Sequence, residues 1–160
     1  MIAESGSNLV SRIRRRIRPE RGAAAVEFAI VAPLLFILVF GIIDFGFGFH
    51  AWNAIENSAR EGARVGATDA SGNAVADITA RVQNGTSFLT GPVTVLVQCS
   101  SNNGTGPFSS CGSSANWNEG DLIKVTVSYD YNFMTPLPTM IGMGKQLHEK
   151  AVAESRFEGN

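Results

Sequence analysis

Glu27 is the residue whose position most strongly suggests a chemical role. Its carboxylate interrupts an otherwise apolar stretch, residues 23–43, of which residues 28–43 carry no charge. An acidic side chain near the centre of a membrane-spanning helix costs on the order of 3 kcal/mol, so an intramembrane carboxylate indicates a function such as pairing with a cation. Alternatively, Glu27 lies near the lipid headgroups, where water solvates it.

Cys99 and Cys111 are the only thiols of the chain, and they flank a segment rich in Ser, Asn and Gly. In an oxidising compartment they can form a disulfide, which for a loop of this length is worth about 3 kcal/mol. Reduced, unpaired thiols are the alternative. A zinc site needs about four ligands. Because His50 and His148 are the only histidines, we expect no metal site.

No catalytic constellation is recognisable in the sequence, which has no G-x-S-x-G, P-loop or H-E-x-x-H pattern. Residues 118–121 could hold calcium but lack the ligand spacing of an EF-hand, so we interpret them as a turn. The aromatic residues Trp117, Tyr129 and Tyr131 either form a binding patch or pack on a sheet. We therefore expect a protein that is not an enzyme and that takes no cofactor.

Charge is distributed unevenly along the chain. Residues 1–22 contain six arginines and two glutamates, whereas the remainder has seven basic and twelve acidic residues. No comparable basic cluster recurs further on, which argues against nucleic-acid binding. Because the arginines precede the apolar stretch and none follows it closely, the amino terminus is expected in the cytoplasm and everything after about residue 50 outside.

The element that must position Glu27 is a membrane-spanning helix. A hydrocarbon core of roughly 30 Å needs about 20 apolar residues, and the stretch just meets this requirement. Pro33 removes a backbone donor within it, so we expect a kink, either to let the helix bend on leaving the bilayer or as passive packing. Small and apolar residues at spacings of 3 and 4 extend the helix to residue 66, with Trp52, Ile55 and Ala59 on the face that rests on a globular domain.

The remaining residues predict a small domain of mixed secondary structure. Residues 74–82 have helical spacing, and residues 92–99 and 122–133 read as two strands that could pair as a hairpin around a loop at 100–120. Pro136 and Pro138 break the chain, and residues 147–157 fit a third strand or a helix, of which we favour the strand. The predicted fold class is α+β, with a long N-terminal transmembrane helix before a small extracytoplasmic antiparallel β-sheet domain.

Three stretches resemble a known family: RGAAAVEFA at residues 21–29, PLL at 33–35 and GIIDFG at 41–46. They are similar to the TadE-like minor pilins (pseudopilins) of the tight-adherence (Tad/Flp) type IV pilus system. The family's processing pattern is a glycine, four residues, a glutamate and an aromatic residue, which Gly22, Glu27 and Phe28 match. Residues 59–67 resemble a second family segment. Phe28 stands where major pilins of this system usually carry tyrosine, which favours a minor pilin.

The resemblance implies that a prepilin peptidase cuts between Gly22 and Ala23, so that the arginines leave with the leader. The new α-ammonium of Ala23, with a reference pKa of about 7.7–8.0, needs a counter-charge. Glu27 of a neighbouring subunit can supply it when the helices dock in register, and Pro33 is the further docking candidate. The implied partners are the prepilin peptidase, other pilins and pseudopilins, the inner-membrane assembly platform and the lipid bilayer.

Four segments are therefore expected: a basic cytoplasmic leader (1–22), a transmembrane helix (23–50), a helical extension (51–67) and an extracytoplasmic α+β domain (68–160). This single-pass protein of the bacterial inner membrane would serve pilus biogenesis, adherence or secretion, and could enter the pilus itself. A membrane-anchored binding module that keeps its leader is the alternative, followed by an anchored enzyme. A secretory signal peptide is disfavoured because its apolar region usually spans only about 7–15 residues.

Overall fold

The computed structural model describes residues 19–68, 71–112 and 117–158, so residues 1–18 of the predicted leader lie outside the described residues. The elements are α1 (Pro19–Ala67), α2 (Ala74–Gly85), β1 (Val93–Ser100), β2 (Ser109–Ser110), β3 (Leu122–Asn132), α3 (Leu137–Met140) and β4 (Gln146–Arg156). The chain divides after Val39 into two compact units. We call residues 40–158 the globular unit. A long apolar helix followed by an antiparallel sheet confirms the predicted α+β class.

Helix α1 continues without interruption through Pro33. In its later part, Ala51, Ile55, Ala59 and Ala63 recur every four residues and are at most 3% exposed. This spacing places them on one face of the helix, which packs into the core of the globular unit. Trp52 was predicted on the same face, but it is 40% exposed because it lies about 100° around the helix from Ala51.

Two glycines let α1 pack closely on its neighbours. A Cβ added at Gly62 would lie 2.9 Å from Val82 Cγ2, and one added at Gly66 would lie 2.8 Å from Ile78 Cδ1. Ile78 and Val82 of α2 are completely buried. The predicted second helix is thus confirmed, and its apolar face fills the space that the missing side chains of α1 leave open.

The four strands form one sheet in the order β2-β1-β3-β4, with antiparallel neighbours throughout. The predicted hairpin pairing of β1 with β3 and the strand favoured near the carboxyl end are both confirmed. Alternate β3 residues face the helices and are at most 5% exposed; they are Ile123, Val125, Val127, Tyr129 and Tyr131. Tyr129 and Tyr131 therefore pack within the core and form no surface patch.

The connections contain two elements that the sequence did not predict. Strand β2 lies within the predicted 100–120 loop, beside Cys111. A disulfide joins Cys111 to Cys99 of β1, with a Cα–Cα distance of 5.0 Å.

The second element is α3, which forms a single helical turn where Pro136 and Pro138 were expected only to break the chain. Proline stabilises the start of such a turn because its fixed φ is already helical. Residues 118–121 form the predicted turn, in which the Asp121 amide donates to the Asn118 carbonyl.

Candidate functional site

The predicted processing segment lies in the first turns of α1. Gly22, Ala23, Glu27 and Phe28 are all exposed, and a Cβ at Gly22 would meet no atom within 4 Å. No hydrogen bond or ion pair joins Glu27 to another residue in the part of the chain that the structure describes. The side chain of Glu27 thus lies on the exposed surface of α1.

Large apolar side chains surround this first part of α1 and remain uncovered. Phe28, Ile30 and Leu34 are 66–73% exposed. An 18-residue stretch of the helix has a mean hydropathy of 2.7, and only 6% of it is buried. The core helix of a soluble domain would bury such side chains. The helix is therefore compatible with single-pass anchoring in a membrane.

Asp44, the first charged residue after the apolar stretch, is a buried carboxylate that holds a distant segment. Its Oδ1 accepts hydrogen bonds from the backbone amides of Met134 at 2.9 Å and Thr135 at 3.1 Å. Its Oδ2 accepts a further bond from Thr135 Oγ1. Because three hydrogen bonds converge on this one carboxyl group, Asp44 fixes the segment after β3 to α1.

A cavity of about 740 Å³ opens beside Asp44, between α1, the end of β3, α3 and the start of β4. Its walls are mainly apolar and include Phe45 and Phe49 of α1 and Leu137 of α3. A cavity of this size and lining is in the range that holds a small apolar ligand or a side chain of a partner.

Two polar groups in the wall of this cavity lack hydrogen-bond partners. Glu149 is 7% exposed, and no described residue donates to its Oε2; the Tyr131 hydroxyl is likewise unpaired. Glu149 lies on the inward face of β4, opposite Gly48, where a Cβ would be 3.8 Å from Oε1. Burial raises the pKa of Glu149 to about 6 and, with the Asp44 carboxylate nearby, also raises the pKa of Tyr131.

The raised pKa of Glu149 predicts a specific pH dependence of stability. The folded chain binds this proton more tightly than the unfolded chain, so protonation stabilises the fold. The gain is complete below the ordinary value of 4.5 and is lost as the pH rises through about 6. Glu149→Gln removes this dependence. When the pH falls from about 7.5 to about 4.5, the free energy of unfolding of the wild type should rise by about 1 kcal/mol relative to that of Glu149→Gln. This value allows for partial screening by water.

Thermal unfolding of the full chain in detergent, followed at several pH values, measures this difference. Glu119→Gln, in an exposed turn, is the matched control and should keep the pH dependence of the wild type. Parallel stability curves for the wild type and Glu149→Gln would contradict the assignment.

The residues that sequence analysis selected fall into two groups. Gly22, Ala23, Glu27 and Pro33 lie along the first part of α1, and the two cysteines are bonded in the globular unit. Neither Asp44 nor Glu149 was assigned a role from the sequence. A signal for Glu149 was present, because it occupies an inward position of the alternating pattern in β4, where an apolar residue is expected.

The fold and the exposed helix together define a class: a small α+β protein with one N-terminal apolar helix able to anchor it in a membrane. Residues 22–64 match the family model described as TadE-like protein, which confirms the resemblance over most of α1. The match is consistent with a TadE-like protein of the Tad pilus system, and it associates the chain with the components of that system in general. Comparisons with curated proteins and with solved structures gave no match.

Proposed function

We propose that this chain is a pilin-like assembly subunit of a tight-adherence pilus, which a prepilin peptidase cuts between Gly22 and Ala23. The observation that carries the proposal is that the family match begins at Gly22, on a helix whose apolar side chains are exposed. The subunit acts by assembling with other proteins and catalyses no reaction.

The accessible start of α1 supports processing. Gly22 and Ala23, on either side of the bond to be cut, are both exposed. Glycine also disfavours the helix by about 1 kcal/mol relative to alanine. A peptidase can therefore open this turn at low cost.

Glu27 would then direct docking between subunits. Its carboxylate is exposed within an apolar surface, where leaving it unpaired in lipid is costly. The Ala23 ammonium of a neighbouring subunit offsets this cost only when the two helices are in register. Charge pairing thus selects one assembly geometry, for which Pro33 of the same helix is the further docking candidate.

The proposed location is the bacterial inner membrane, with the amino terminus in the cytoplasm and the globular unit outside. The arginines of residues 1–22 support this orientation because positive charge is retained on the cytoplasmic side. The Cys99–Cys111 disulfide is in keeping with an oxidising exterior. The partners in assembly are the prepilin peptidase, other pilins and pseudopilins, and the inner-membrane assembly platform.

To test this proposal, the wild type and Glu27→Gln are expressed in two strains that contain the pilus system, one with the prepilin peptidase and one without it. The readouts are the amino terminus and the fraction of subunit recovered in cross-linked assemblies. Loss of the pairing charge should reduce that fraction about tenfold, corresponding to about 1.4 kcal/mol. Glu56→Gln is the control, because Glu56 lies on the same helix but pairs with Arg60. Equal assembly of Glu27→Gln and the wild type would contradict the docking role.

A membrane-anchored binding module is the second candidate, and the cavity beside Asp44 favours it. Such a module would need neither cleavage nor Glu27. It would therefore retain residues 1–22 in both strains, and its Glu27→Gln variant would behave like the wild type.

A further inference from the structure

The connection between β3 and β4, residues 133–145, carries an unusual surface. Met140 is 78% exposed, Ile141 62% and Met143 53%. Lys145 is the only charged residue of the connection. Large apolar side chains concentrated on a segment with a single charge mark an interaction surface.

The hydrogen bonds of Asp44 fix the level of this surface along α1. They tie Met134 and Thr135 to the residue that directly follows the uncharged stretch 28–43. Ile141 and Met143 line the same cavity as Gly41, which lies within that stretch. The exposed side chains are thus level with the last turn of the apolar part of α1.

Aromatic residues of α1 continue the same surface. Phe45 is 75% exposed, Phe49 53% and Trp52 40%, and all three line the cavity that α3 closes from the other side. Tryptophan at the end of an apolar helix is typical of the boundary between hydrocarbon and headgroups, and Trp52 occupies such a position next to the exposed phenylalanines. The connection therefore lies at the level where a membrane-spanning α1 would leave the bilayer.

We propose that the β3–β4 connection is a second membrane-contacting element, in which Met140, Ile141 and Met143 insert into the headgroup region of the leaflet that α1 leaves. This inference rests on the proposed membrane span. The bilayer is the occupant because Phe45 and Phe49 of α1 line the same cavity as Ile141 and Met143, so that the exposed apolar surface of the connection continues onto the helix within the globular unit. Flexible methionine side chains also suit a fluid, irregular partner. The contact holds the globular unit against the membrane.

The test uses the full chain in vesicles of phosphatidylethanolamine and phosphatidylglycerol, with an environment-sensitive fluorophore on a single added cysteine. The two native cysteines are bonded to each other and do not react. Ile141→Cys and Met143→Cys report the connection, and Leu38→Cys reports the span. Leu96→Cys and Val152→Cys are matched controls, since these residues are 51% and 50% exposed. Both pair with Thr126, on the face of the sheet that points away from the helices.

Lipids carrying a quencher near the headgroup should remove about half or more of the fluorescence at positions 141 and 143, because interfacial elements insert only about 5–10 Å. Labels at 96 and 152 should keep theirs. Unquenched labels at 141 and 143 beside a quenched label at 38 would overturn the contact while leaving the span intact. If lipids that carry a quencher deep in the acyl chain also failed to quench the label at position 38, the proposal that α1 spans the membrane would be contradicted. If the fluorescence of the label at position 141 changed with protein concentration and not with the presence of lipid, the surface would bind a second copy of the chain. That result would overturn the proposal.

Discussion

Leucine in place of Gly62 is expected to destabilise the globular unit by about 3 kcal/mol, because overpacking a close-packed core forces the backbone apart. Even a Cβ at this position would lie 2.9 Å from Val82 Cγ2 and 3.2 Å from Ile78 Cγ2. Both neighbours are branched at Cβ and completely buried, so neither side chain can turn away.

The same substitution at Gly46 is the matched control. Gly46 lies on the same helix, and a Cβ there would meet no atom within 4 Å. Gly46→Leu should therefore leave stability unchanged or raise it slightly, since leucine favours a helix more than glycine does. Denaturant unfolding of the full chain in detergent, followed by the fluorescence of Trp52 and Trp117, measures both variants. Equal stability of the two would contradict the close packing of α1 on α2.

Asp44→Ala is expected to release the segment after β3 and to cost about 3 kcal/mol. The variant loses three hydrogen bonds and leaves the amides of Met134 and Thr135 without their acceptor. A buried donor that loses its partner costs about 1–3 kcal/mol. Amide hydrogen exchange at Met134 and Thr135 should accelerate about 100-fold if opening becomes easier by this amount.

Two further variants separate this effect from a general loss of charge. Thr135→Val removes one of the three hydrogen bonds and should have an intermediate effect. Asp130→Ala removes an exposed carboxylate that pairs with His148, and it should cost less than about 0.5 kcal/mol because exposed pairs contribute little. Unchanged exchange in Asp44→Ala would refute the anchoring role of Asp44.

Elements whose residues follow a regular spacing could be predicted from the sequence. The helical spacing of Ala74, Ile78 and Val82 predicted α2, and the alternation in residues 122–133 predicted β3. For β4, Ala151 and Ala153 on the inward face outweighed the helix-favouring Glu and Lys residues, because pairing with β3 decides the conformation.

The sequence could not predict contacts between residues far apart in the chain. Asp44 and Thr135 are separated by 91 positions, and nothing in the local pattern of either residue indicates the other. Strand β2 forms because two serines beside Cys111 pair with Gln98 and Cys99, although serine has no strong preference for strands. Such features depend on the tertiary arrangement, which overrides local propensity.

The central claim is that the mature chain begins at Ala23. The most direct measurement is the intact mass of the membrane-extracted protein from the strains with and without the prepilin peptidase. We predict a mass that corresponds to residues 23–160, with or without a methyl group on Ala23, only when the peptidase is present. A chain that retains Arg12 to Arg21 in both strains would contradict pilin-type processing and leave an anchored binding module.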